Sequence, residues 1–131
     1  MAWWDSVYKM INMGEVLYTP GRGLDGGNKK KPFSIISKEI SKIIIRSGNS
    51  KVPLVRKCFD VIEESLTNRK YLWLRVASSH DNEAFENSAD KLIRQATKSS
   101  LARGNYVCAL LENCKLVKYS MMVNKKVIKL P

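Results

Sequence analysis

Three features of this 131-residue chain predict an α+β fold. Apolar residues recur at helical spacing near the N-terminus and in three later segments. The β-branched run FSIISKEISKIIIR, residues 33–46, reads as a hairpin. The chain closes with two stretches of alternating apolar and polar residues around a basic turn. The predicted order is an N-terminal helix and a β-hairpin, followed by helix, strand, helix, helix, strand and strand. A chain of this length buries a substantial core without disulfides or metals, as one domain or as one domain with an extra arm.

Each element rests on its own residues. Trp3, Trp4, Val7, Tyr8 and Ile11 share one face of a helix predicted over 3–17, within an N-terminal unit of 1–18. That apolar face serves either the protein's own core or a contact with a partner or a second copy. TPGRGLDGGNKKKP, residues 19–32, holds four glycines and two prolines and reads as a linker. It contains a literal G-x-G-x-x-G at Gly21, Gly23 and Gly26, but neither strand nor helix patterning flanks it, so it is read as coincidence. One compact domain is predicted over 33–131. The hairpin strands are placed at 33–39 and 42–47, with SGNS at 47–50 as a closing loop.

A helix is predicted from Pro53, a residue tolerated in a first helical turn, with Val55, Cys58, Phe59, Ile62 and Leu66 as its buried stripe. YLWLRVA, residues 71–77, reads as a strand, and 80–87 as a polar connection. Asn87 or Ser88 caps the next helix, whose buried face is Ala89, Leu92, Ile93 and Ala96. Ser99 and Ser100 punctuate before a helix over 101–114, with Tyr106, Val107, Leu110, Leu111 and Cys114 as its stripe. Strands over 116–121 and 126–130 follow, joined by a turn at 123–126.

Charge narrows the partner. The net charge is +11, and nucleic acid is the commonest partner for such an excess. Residues 1–50 carry eight basic and four acidic residues, 51–100 nine and seven, and 101–131 six and one. The last quarter therefore holds +5 of the +11. Three cysteines, an odd number, and a start without a basic n-region or long apolar core point to a cytoplasmic, non-secreted protein. An anionic membrane surface is the rival partner, but no apolar run is long enough to span a bilayer and the first helix lacks the Lys/Arg-rich face of a membrane-surface helix, so no membrane partner is expected.

The element order from residue 53 to 131 resembles the winged-helix variant of the helix-turn-helix family. The resemblance implies that the helix over 101–114 enters the major groove of duplex DNA. Ser99, Ser100, Arg103 and Asn105 would then face the bases, with Arg suited to guanine and Asn to adenine. The wing would place Lys125 and Lys126 on phosphate, flanked by Lys118 and Lys129. Lys29, Lys30 and Lys31 would form a basic arm that tracks phosphates or enters a minor groove. The helix offers only one cation, Arg103, beside the acidic Glu112, which favours backbone binding over base reading.

Catalysis finds little footing. His80 is the only histidine, and the adjacent Ser78, Ser79, His80 and Asp81 do not converge as a triad from separate places. Cys58, His80, Cys108 and Cys114 include no C-x₂-C pair, and Cys108 and Cys114 fall on different sides of a helix, so no metal or other cofactor is expected. The expected function is therefore non-enzymatic nucleic-acid binding, regulatory or architectural, with duplex DNA favoured and a homodimer matching two half-sites. Two alternatives stay open. One is a protein-interaction module anchored by the Trp3/Trp4 helix. The other is an RNA-binding protein, in which aromatics such as Tyr71 and Trp73 would be exposed beside lysines.

Overall fold

The spacing of Trp3, Trp4 and Val7 is realised in helix α1 (Trp3–Met10), which ends well before the expected residue 17. Ile11 adopts extended backbone and turns its side chain fully inward. Gly14, at φ 86°, then redirects the chain into strand β1 (Val16–Tyr18). The computed structural model describes residues 1–21, 30–76, 87–122 and 125–131. The fold is α+β, as the sequence predicts.

The predicted hairpin forms as β2 (Pro32–Lys38) and β3 (Lys42–Ser47). Glu39 and Lys42 exchange backbone hydrogen bonds around the turn, and Ile40 stands 96% exposed at its tip. The SGNS segment is a hairpin turn rather than a closing loop, because Ser47 pairs with Ser50 and opens β4 (Ser50–Val55). Gly48 supplies the positive φ that such a turn requires. Pro53 thus lies inside a strand and not at a helix start. It is tolerated because β4 is an edge strand of the antiparallel sheet β1-β2-β3-β4. Alternation buries Phe33, Ile35, Ile43, Ile45, Val52 and Leu54 on one face of this sheet and leaves the other open to solvent.

β4 runs directly into α2 (Arg56–Thr67), with Cys58, Phe59, Ile62 and Leu66 on its buried stripe. The strand expected over 71–77 shrinks to β5 (Leu74–Arg75). Helix α3 (Ala89–Thr97) is capped by Ser88, whose Oγ accepts the Lys91 amide. Helix α4 (Gly104–Asn113) leads into β6 (Lys118–Met122) and β7 (Lys125–Lys129). These strands form a second antiparallel sheet of order β5-β7-β6. From α2 onward the element order is the predicted helix, strand, helix, helix, strand, strand.

One buried cluster runs from Trp3 to Ile128 and joins α1 to the rest. Trp4 stacks at a tilt on Phe59, 5.4 Å between ring centroids, and on Tyr8 at 5.6 Å. The Trp3 amide donates to Glu63 Oε1 of α2 at 2.8 Å, which ties the positive end of α1 to a carboxylate. Trp3, Trp4, Val7 and Ile11 are all buried and Tyr8 half-buried. The alternative of a Trp3/Trp4 partner or dimer contact is therefore corrected: these rings fill the protein's own core. Each buried indole contributes about 4–6 kcal/mol of gross hydrophobic stabilisation, which outweighs what an exposed patch would offer a transient partner.

Candidate nucleic-acid interface

The turn between α3 and α4 is held by one buried carboxylate. Asp90, in the first turn of α3, accepts the backbone amides of Arg103 and Gly104 on Oδ1 at 3.0 and 3.1 Å. Its Oδ2 pairs with Arg94 Nη2 at 2.8 Å. Asp90 thus caps α4 from another helix, a role for which the sequence supplies only an Asp near a helix start. Gly104 is obligatory for a second reason. A Cβ there would lie 2.7 Å from the Val76 carbonyl oxygen and 2.9 Å from Asp90 Cβ. The sequence reading missed both residues.

This joint changes the expected role of Arg103. The side chain is buried, and it donates to the Pro53 carbonyl from Nη1 at 3.2 Å and to Thr97 Oγ1 from Nη2 at 2.6 Å. Arg103 braces the α3–α4 turn against β4 and does not face outward to read guanine. Helix α4 itself is a core helix. Gly104, Val107, Cys108, Ala109, Leu110 and Leu111 are all buried, and Tyr106 packs edge-on against Phe33 at 5.2 Å. The outward part of α4 is Asn105, Tyr106, Glu112 and Asn113, which carries an acid and no cation. Of the expected reading residues, Ser100 and Asn105 are exposed and Ser99 is half-buried, with its Oγ accepting the Leu101 amide.

The C-terminal hairpin divides its lysines between two faces. Lys118 lies opposite Lys129, and Met122 opposite Lys125. Strand alternation therefore puts Lys118, Lys125 and Lys129 on one face. At about 3.4 Å per residue, Lys125 and the Lys118/Lys129 pair stand roughly 14 Å apart. Lys118 and Lys125 are exposed and Lys129 half-buried, and none forms a salt bridge among the described residues. Like charges placed directly opposite, as Lys118 and Lys129 are, weaken a ladder.

Lys126 belongs to the other face. It is 7% exposed, its ammonium donates to the Pro20 carbonyl, and it lies 4.9 Å from the Tyr119 ring centroid. Its expected phosphate role is corrected: it is an internal strut between the second sheet and the segment after β1. Burial also pushes up the Tyr119 phenol, with the Cys108 and Glu112 charges adding to the shift. Lys126 borders a cleft of about 350 Å³ between β1 and the C-terminal end of α4, where Glu15 and Glu112 offset it and Lys30.

In the basic arm, Lys30 and Lys31 are exposed, and the Lys30 ammonium sits 5.2 Å from the Tyr18 ring centroid. Lys29, Gly23, Gly26, His80 and the turn residues 123–124 lie outside the described residues. Of the aromatics weighed for RNA, Tyr71 and Trp73 are half-buried. All three cysteines are buried free thiols. Burial pushes Cys58 up against the opposing Arg103 charge, raises Cys114 to about 11, and raises Cys108 further still. Among the described residues, no three His, Cys, Asp or Glu side chains gather as a metal site, and no helix is long and apolar enough to cross a membrane. Comparison with known proteins gives no family: no family model, curated protein or solved structure matches this chain.

Proposed function

We propose that this protein binds double-stranded DNA through the phosphate backbone, with the β6–β7 hairpin as its contact surface. The observation that carries this reading is the same-face set Lys118, Lys125 and Lys129, unpaired with any acid among the described residues, in a chain of net charge +11. Three cations spread over roughly 14 Å of strand match a polyanion better than a single small anion. The order α2-β5-α3-α4-β6-β7, with a β5-β7-β6 sheet, supports a winged-helix-like unit whose wing is this hairpin. The burial of Arg103 and of six residues of α4 favours backbone binding over base reading. Backbone binding suits an architectural role better than selection of one operator sequence.

Fluorescence-anisotropy titration of a labelled duplex at 50 and 200 mM salt tests the reading. Three neutralised phosphates predict an affinity loss of about 40-fold between these salts. A Lys118→Ala/Lys125→Ala/Lys129→Ala variant should lose most of both the affinity and the salt dependence. Wild-type duplex affinity in that variant would sink the proposal.

A further inference from the structure

The solvent-facing side of the four-stranded sheet is a second cationic surface. Register sets its membership: Val16 lies opposite Ser34, Ser34 opposite Arg46, and Arg46 opposite Lys51. This row crosses all four strands. On the same face, Tyr18 lies two residues along β1 and Lys42 four residues along β3. The face is open, with Val16 55% and Tyr18 51% exposed and both Arg46 and Lys51 exposed. None of the four strands contains an Asp or Glu. Arg46 and Lys51 stand directly opposite each other, an arrangement that weakens the ladder, and neither is in a salt bridge among the described residues.

Charge complementarity assigns this face a polyanion, and Tyr18 narrows the kind. An exposed phenol ring with the Lys30 ammonium 5.2 Å from its centroid offers a stacking surface beside a cation. The bases of a duplex are stacked on one another and cannot reach a ring on a sheet. The bases of a single strand can. We infer that the open face of the β1-β2-β3-β4 sheet binds single-stranded nucleic acid, with Tyr18 stacking on a base and Lys42, Arg46 and Lys51 on phosphates. This site is distinct from the β6–β7 hairpin and stands or falls separately from it.

Anisotropy titration of the full chain with a labelled 12-nucleotide oligothymidylate, at 50 and 200 mM salt, tests the inference. Three phosphate contacts to a single strand predict about a 20-fold loss of affinity between the two salts. Arg46→Ala/Lys51→Ala should cut that loss to about threefold. Tyr18→Ala should weaken binding roughly tenfold at both salts and leave the salt dependence in place. The Lys118/Lys125/Lys129 alanine variant should bind the single strand as wild type does. Thermal melts check that the variants fold, which their surface positions favour. Three results would each overturn the inference: no single-strand binding, wild-type affinity in both sheet-face variants, or loss of single-strand binding in the hairpin variant instead.

Discussion

Lys125 and Lys126 are neighbours in sequence and do opposite things in the structure, which gives the sharpest prediction. Lys125 is exposed on the proposed DNA face, whereas Lys126 is 7% exposed and donates to the Pro20 carbonyl. Replacing Lys125 with Ala removes one phosphate contact and nothing from the core. One contact corresponds to roughly an eightfold loss of duplex affinity at 0.1 M salt, and to a decrease of about 0.9 in the slope of log affinity against log salt. Replacing Lys126 with Met keeps the aliphatic stem but loses a charged hydrogen bond and a contact with the Tyr119 ring. That change costs about 2 kcal/mol, which lowers a urea midpoint by about 1 M. The assay is a pair of measurements on each variant, duplex anisotropy and urea unfolding followed by Trp fluorescence. Lys125→Ala should move only the first. Lys126→Met should move chiefly the second. If Lys126→Met kept its midpoint and lost duplex affinity as Lys125→Ala does, the division of the hairpin into two faces would be refuted.

Three further outcomes follow from the core and the α3–α4 joint. Gly104→Ala, which would normally favour a helix, should instead lower Tm by about 8 °C, because the added Cβ meets the Val76 carbonyl oxygen at 2.7 Å and Asp90 Cβ at 2.9 Å; an unchanged or raised Tm in calorimetry would count against the close packing. Asp90→Asn should cost about 3 kcal/mol in urea unfolding, since Asp90 is 1% exposed and bonds two amides and the Arg94 guanidinium. The raised Cys114 pKa makes stability fall with rising pH. Its thiol titrates from 9.0 in the ordinary state and from about 11 in the fold, so its contribution is complete below about pH 9 and is lost as the pH climbs through 11. Urea midpoints should therefore drop across that window, Cys114→Ala should lessen the drop, and a thiol reagent at pH 8 should label the cysteines only after denaturant is added.

The sequence made local elements legible where one periodicity ruled a segment. The hairpin strands over 33–39 and 42–47 were visible because β-branched residues crowd them, and α3 because Ser88 caps a clear apolar stripe. It misjudged segments decided by contacts far along the chain. Pro53 looks like a helix start in isolation, yet it lies in β4 because Ile44 pairs with it and its carbonyl meets Arg103 fifty residues away. The predicted first helix stops at Met10 because Ile11 is drawn into the core and Gly14 turns the chain onto Ile35. At the candidate site, Lys118 and Lys125 were recognisable as exposed cations, but Arg103 and Lys126 were not recognisable as buried ones.

By itself the sequence determined the α+β class, the order of the elements after residue 55 and a net charge of +11. Those depend on local periodicity and on counting charges, which neighbours in the chain supply. Only the tertiary structure decided which cations face water. It turned Arg103 and Lys126 inward to the carbonyls of Pro53 and Pro20, and it set Arg46 opposite Lys51, both exposed, and the exposed Lys118 opposite the half-buried Lys129. The physical reason is that a buried charge needs a partner, and these partners come from residues 50 and 106 positions away in the chain.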